Sequence, residues 1–311
     1  MKLFYYTVFI IGITTFCGCA YFTNEMRAMR YLNRGKTNKA IEILSKEIVN
    51  NPDDSFAYFT RGVVYAKNNE PNKALADYSM AIKFNPEDYY AYYNRSRIYR
   101  ILKEYKLELA DLNKTILIKP NFWIAYLQKG DFFQFINKDY PQALINYDIA
   151  LKLVPDNANA YYAKARLLYD MKQYQNAFHL FKKAHSISPN NVIICNDYAW
   201  RLIMCPNKTY CNIPKAFNLA KDAYKYYRGF VTCDTLAAVY AYKKDFNNAI
   251  KYQNQAIEMA ERESQYESKT KQEIISDLQK RLNSYKKSQP WTEQPGTYRM
   301  GIISESGIMR L

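Results

Sequence analysis

The residues able to do chemistry in this chain are few, and their spacing argues against catalysis. His179 and His185 stand six apart on a stretch that reads as one helix. That spacing puts them on different faces, a poor arrangement for a metal pair. Cys205 and Cys211 are too widely spaced for a redox Cys-x-x-Cys, and no histidine lies near them in sequence to complete a zinc site. In an oxidising compartment they could bridge and stiffen the segment between them, so this pair is the candidate disulfide. The chain has no Gly-x-Ser-x-Gly elbow, phosphate loop or His-Glu-x-x-His. Its carboxylate pairs have nothing that separates them from solvated helix surface. The expectation is a non-enzymatic protein with no cofactor and no metal.

The elements that would position any site are set by proline. Pro52, Pro86, Pro120, Pro155 and Pro189 recur at steps of 34, 34, 35 and 34 residues. A period near that length marks one supersecondary unit copied along the chain, each copy relying on its neighbours to bury its apolar face. Gly62, Ser96, Gly130 and Ala165 fall in one column, with Tyr65, Tyr99, Phe133 and Leu168 three places on. Ala74, Ala143, Ala177 and Ala249 form a second small column. Tyr78, Tyr147 and Phe181 follow its first three members by four, and Ala81, Ala150 and Ala184 come three later. Small and large residues at spacings of three and four describe two amphipathic helices per unit. Cys195 and Cys233 share a column otherwise held by Tyr58, Tyr92, Tyr126 and Tyr161. Equivalent helices in successive units lie about 10 Å apart, beyond a disulfide's reach, so both read as small buried apolar residues.

Segments such as "AYFTRGVVY", "AYYNRSRIY", "KALADYSMAIKFNP" and "NAFHLFKKAHSISP" resemble tetratricopeptide repeats. Seven are placed, at 21–54, 55–88, 89–122, 123–157, 158–191, 192–229 and 230–263. The third departs from the pattern with Glu108 in the second alanine column. The resemblance implies an all-α, right-handed superhelical solenoid over 19–263, and a capping helix is read at 264–287. The last two repeats, with "NDYAWRLIMCP" and "DTLAAVYAYKKDFNNAIKYQNQAIEMA", resemble a terminal pair found in bacterial members of the superfamily. There the chain closes on a Lys-Pro-aromatic ending, here resembled by Lys287 to Trp291. Residues 288–311, rich in glycine and proline, are expected to be a flexible tail.

The resemblance also implies a groove lined by the first helix of each unit, at its second, fifth and ninth positions. Those positions make Phe56, Phe59, Tyr90, Tyr93, Arg97, Leu127, Tyr162 and Arg166 the candidate partner-binding residues. Aromatic rings would bury apolar side chains of an extended or helical peptide while the arginines take carboxylates. Trp200 in the same register reads equally as packing, and Arg61 and Arg95 read as structural. Asn94 stands at one position of the family's carboxylate clamp, but Phe59, Val63, Ile124 and Gln128 hold the flanking ones, so the clamp is absent.

Residues 1–18 stand apart from the repeats. Lys2 precedes an apolar run from Leu3 to Phe16 that is short for a membrane span and reads as an export signal. Gly18 before Cys19 resembles a bacterial lipoprotein cleavage box, although Phe16 and Cys17 depart from its usual residues. The box implies acylation of Cys19 and anchoring in the cell envelope, by resemblance at the outer membrane facing the periplasm. An ordinary signal peptide or an uncleaved anchor is the alternative. The 44 basic residues outnumber 29 acidic ones. Such a balance suits anionic wall polymer, lipid headgroups or acidic protein patches. No nucleic-acid motif accompanies the charge. The leading expectation is a membrane-tethered adaptor that holds an envelope protein in its groove. The alternative is a basic-surface binder of wall polymer or lipid.

Overall fold

The computed structural model describes residues 23–264 and 268–292. The expected signal at 1–18, Cys19 and the tail from 293 onward lie outside the described residues. Among the described residues are fifteen α-helices and no strand, and none of these helices is long and apolar enough to cross a membrane. The chain divides into two compact units after Phe132.

The first unit holds α1 (Asn24–Asn33), α2 (Thr37–Asn50), α3 (Ser55–Lys67), α4 (Pro71–Phe84), α5 (Tyr89–Ile101), α6 (Tyr105–Ile118) and α7 (Trp123–Asp131). The second holds α8 (Tyr140–Leu153), α9 (Ala158–Asp170), α10 (Tyr174–Ile187), α11 (Val192–Met204) and α12 (Ile213–Tyr226). It continues with α13 (Phe230–Tyr242), α14 (Phe246–Arg262) and α15 (Ser268–Lys286).

A recurring left-handed residue turns the first helix of a repeat into the second. Gly35, Asn69, Lys103, Lys138, Lys172 and Lys244 all have φ between 58° and 72°. The next residue's N–H bonds back across the turn, Glu70 to the Tyr65 carbonyl at 2.9 Å and Gln173 to that of Leu168 at 2.8 Å. This is the Schellman closure, which satisfies carbonyls that the helix end leaves open. In the 35-residue repeat the left-handed residue comes one place late, and a π-helical turn over Phe132–Asn137 ends its first helix. The wider π turn absorbs the extra residue, so the second helix keeps its phase.

The alanine columns form the seam between paired helices, with Ala74, Ala81, Ala143, Ala150, Ala177 and Ala184 at 0 % exposure. Tyr78, Tyr147 and Phe181 fill the space beside them. A Cβ added at Gly62 would lie 2.8 Å from Cε1 of Tyr78. Only a residue without one allows that approach.

Arg61 and Arg95 are structural. Arg61 donates two bonds of 2.8 Å to the carboxylate of Asp77 and one of 3.0 Å to Ser45 Oγ. Arg95 repeats this on Asp111 and Ser79. Each arginine thus ties the second helix of its own repeat to that of the preceding one, with the bidentate geometry that suits a guanidinium. Glu108, the departure from the alanine column, is fully buried and takes a 2.6 Å bond from Nε of Arg100. Arg100 also donates to the Gln128 carbonyl at 3.0 Å. An ion pair thus fills the place of alanine.

The last helix, α15, covers the end of the second unit with Leu278, Leu282 and Tyr285 buried. Arg281 pairs with Asp234 at 2.7 Å, and Gln253 bridges Asp234 to the Leu278 carbonyl. The order expected to stop at 287 continues to Trp291, which packs against the cluster of Ala237, Ala241, Ala249 and Tyr285. A large ring next to an alanine-lined surface buries area that a flexible tail would forgo.

Candidate functional site

The site begins with the starts of the first helices. Asp54 caps α3 by accepting from the N–H groups of Phe56 and Ala57 at 2.9 and 3.1 Å. Asp88 does the same for α5 through Tyr90 and Ala91, at 2.9 and 3.2 Å. Asn157 and Asn191 cap α9 and α11. In the same column α7 has Phe122, which offers no cap bond. That helix forgoes about 1 kcal/mol of capping and gains a ring that is 8 % exposed.

Phe122 is the hub of an aromatic face. Tyr89 and Tyr93 lie 5.2 Å from it and Tyr90 5.6 Å, all edge to face. Tyr89 and Tyr90 lie 4.2 Å apart. Leu112, Ala125, Ile116 and Ile124 complete the cluster. Tyr90 and Tyr93 are half-buried, and both rest on the ring of Phe122. Phe122 escaped the sequence reading because it occupies a cap position outside the second, fifth and ninth places. The aspartates in that column were the signal that could have exposed it.

The other expected groove residues divide. Phe56 is 40 % exposed and stacks on Phe59 at 6.4 Å. Phe59 itself is 5 % exposed, against the reading of it as a partner contact. Its ring turns toward α4 and meets Tyr78 at 5.9 Å, which makes it core. Arg97 and Leu127 are half-buried on α5 and α7. No carboxylate among the described residues lies within ion-pair distance of Arg97. Asn94 donates to the Tyr90 carbonyl at 2.8 Å, a bond inside its own helix.

In the second unit Tyr162 lies 6.0 Å from Phe181, and the Arg166 guanidinium sits 4.9 Å from the ring centre of Phe135 and 5.4 Å from that of Tyr162. Burial pushes the Tyr162 hydroxyl well above the usual phenol range. Both side chains are half-buried and lean on neighbouring rings. Trp200 is 3 % exposed, with the Arg281 guanidinium 5.1 Å over it, and serves packing.

One pair of chemical groups was not legible in sequence. Sγ of Cys195 lies 3.5 Å from Nδ1 of His185. Burial pushes the Cys195 thiol up to about 12 and the His185 imidazole down. Both shifts favour the neutral forms, so this pair does not supply a thiolate nucleophile. Cys205 and Cys211 are free thiols, with Cys211 Sγ 3.6 Å from the Cys205 carbonyl. Among the described residues no three His, Cys, Asp or Glu side chains gather as a metal site. The aromatic face offers rings that can meet apolar side chains and, on α5, a guanidinium that can take a carboxylate.

Models of the tetratricopeptide repeat match residues 55–88, 89–122, 158–191 and 232–263. No curated protein matches the chain in sequence. A tetratricopeptide repeat protein from Parabacteroides merdae has a similar structure, with TM-score 0.64 and 16 % identity over 82 % of this chain and 97 % of that one. PilF of Pseudomonas aeruginosa is similar at TM-score 0.57 and 15 % identity, over 73 % of this chain and 96 % of its own. Yeast Tom70 is similar at TM-score 0.57 and 14 % identity, over 88 % and 67 %. These likenesses concern the fold. The repeats, the all-helical architecture and these matches agree: the chain carries tetratricopeptide repeats and has the all-α fold of proteins built from them.

Proposed function

We propose that this protein is a non-enzymatic adaptor of the bacterial cell envelope, tethered to a membrane through acylated Cys19. On this reading it holds a segment of a partner protein on the aromatic face of α3, α5 and α7. The tetratricopeptide fold supports a protein-interaction scaffold in general terms. The observation that carries the specific reading is the cap given up at Phe122 to seat Tyr90 and Tyr93 on the helix of Arg97, which has no carboxylate partner among the described residues. The matching segment is an extended or helical peptide with apolar side chains and one carboxylate, because rings exclude water around the anchor that Arg97 binds.

Affinity capture from envelopes tests this with a Phe56→Ser/Arg97→Gln variant whose helicity equals that of wild type. Phe59 is left intact, because its substitution would damage the core. A defined protein held by wild type and lost by the variant supports the adaptor. Equal capture by both forms removes the aromatic face from the account. Palmitate labelling of wild type and of Cys19→Ser tests the tether separately, and equal labelling would refute it.

A further inference from the structure

Cationic side chains gather over rings on one part of the second unit, on helices other than those that form the aromatic face. The rings form a file across α12, α13 and α14. Phe217 meets Tyr240 edge-on at 5.2 Å, Tyr240 stacks on Tyr252 at 5.4 Å, and Tyr252 meets Tyr224 at 5.5 Å. All four are half-buried. Exposed cations border the file. The Lys243 Nζ lies 3.7 Å from the centre of Phe217, and that of Lys221 lies 5.4 Å from it. Lys251 stands 5.9 Å over Tyr252 and Arg228 5.5 Å over Tyr224.

The local charge balance is lopsided. From 208 to 251 the chain has eight lysines and arginines against Asp222, Asp234 and Asp245. Asp234 is buried and held by Arg281 and Gln253. Asp245 caps α14, accepting from the N–H and side-chain amide of Asn248 at 3.1 and 2.7 Å. Only Asp222 of the three is exposed. Among the described residues no carboxylate lies within ion-pair distance of Lys221, Arg228, Lys243 or Lys251. Their closest contacts are ring faces, and of the four only Lys243 has a carboxylate, Asp245, near enough to feel its charge. Cation–π contacts at exposed sites are weak, which leaves the ammonium groups able to take an external anion.

We infer that this ring-and-cation file is a docking surface for the anionic headgroups of a lipid bilayer. Charge complementarity selects an anion, and the rings select the bilayer among anions. A soluble phosphate polymer would need the cations alone. Tyrosine edges interleaved with lysine and arginine match the boundary between headgroups and acyl chains, where one end of the side chain is apolar and the other wet. The exposed Tyr226 and Tyr227 continue the pattern between Lys225 and Arg228. Four such basic residues together favour an anionic leaflet by a factor on the order of a thousand at physiological salt. The surface would therefore hold the chain to an anionic bilayer without help from residues 1–20, and the inference does not depend on the partner face of the first unit.

Amine footprinting of the full chain on vesicles tests it, because the readout is independent of any insertion by residues 1–20. On vesicles of phosphatidylglycerol and phosphatidylethanolamine, Lys221, Lys243 and Lys251 should acylate at least about fivefold slower than on phosphatidylcholine. Lys39 and Lys103 should react at the same rate on both. A Lys221→Gln/Arg228→Gln/Lys243→Gln/Lys251→Gln variant should lose most of its preference for the anionic vesicles. A Lys39→Gln/Lys103→Gln/Lys106→Gln/Lys119→Gln variant, with the same charge change, should keep it. Equal footprints on the two vesicle types overturn the inference, as does equal loss of preference in the two variants. Protection by inorganic polyphosphate with none by anionic vesicles would also overturn it and assign the surface to a soluble polyanion.

Discussion

The ring of Phe122 meets that of Tyr93 edge-on at 5.2 Å, from a position where two preceding repeats have a capping aspartate. Local helix stability and the aromatic face compete for this residue. Both Phe122→Ala and Phe122→Asp remove the hub, at a cost of about 3–5 kcal/mol for a buried phenylalanine. The aspartate variant regains a cap worth about 1 kcal/mol. Urea unfolding should therefore find Phe122→Asp less damaging than Phe122→Ala, with partner binding lost in both. The reverse order of stability would mean that the N-terminus of α7 cannot use a cap.

Glu108 gives a pH dependence of unusual sign. Burial pushes its carboxyl above the ordinary 4.5, and the Arg100 charge opposes that shift without cancelling it. A carboxyl with a raised folded pKa binds more protons folded than unfolded. Its contribution is then fully present below the unfolded value and declines as pH rises through the folded one, by about 1.4 kcal/mol for each unit of displacement. Relative to Glu108→Gln, wild type should lose stability as pH rises from the ordinary carboxyl value of 4.5 toward neutral. A relative gain over that range, the usual behaviour of a paired carboxylate, would contradict the burial argument.

The left-handed lysines offer stabilisation without touching any contact. Lys172 has φ 62° in a turn where Gly35 and Asn69 serve elsewhere. A side chain with a Cβ costs about 1–2 kcal/mol in that region, part of which glycine returns as unfolded-state entropy. Lys172→Gly should raise stability by about 0.5–1 kcal/mol, read as a higher midpoint in urea. A lower midpoint would show that the lysine stem supports the turn.

Trp291 should matter to the second unit. Its ring joins the cluster of Ala237, Ala241, Ala249 and Tyr285, and Arg281 lies 5.9 Å over it. Trp291→Ala should cost about 2–3 kcal/mol, below the range for fully buried aromatics because the ring is only half-buried. Hydrogen exchange should accelerate in α13, α14 and α15. Unchanged exchange there would return Trp291 to the tail.

Much of this architecture was legible in the prolines and small columns because a repeat writes the same packing constraint many times. Even the step of 35 was visible, although only the structure shows that a π turn after Asp131 absorbs it. Residues whose role depends on a neighbouring repeat were less legible. Phe59 and Tyr93 hold the same position in successive repeats, yet one ring faces Tyr78 inside its own pair and the other leans on Phe122. The meeting of Cys195 with His185 and the pairing of Arg100 with Glu108 arise from helix contacts that no local spacing announces.

A photo-crosslinking residue at Phe56 tests the central claim most directly, compared with one at Leu117. Both positions are exposed, at 40 % and 73 %, but Leu117 belongs to a second helix, α6, outside the aromatic face. In intact envelopes the account predicts a discrete protein adduct from Phe56 that disappears with Arg97→Gln, and none from Leu117. Equal adducts from both positions, or an adduct at Phe56 indifferent to Arg97, would contradict it.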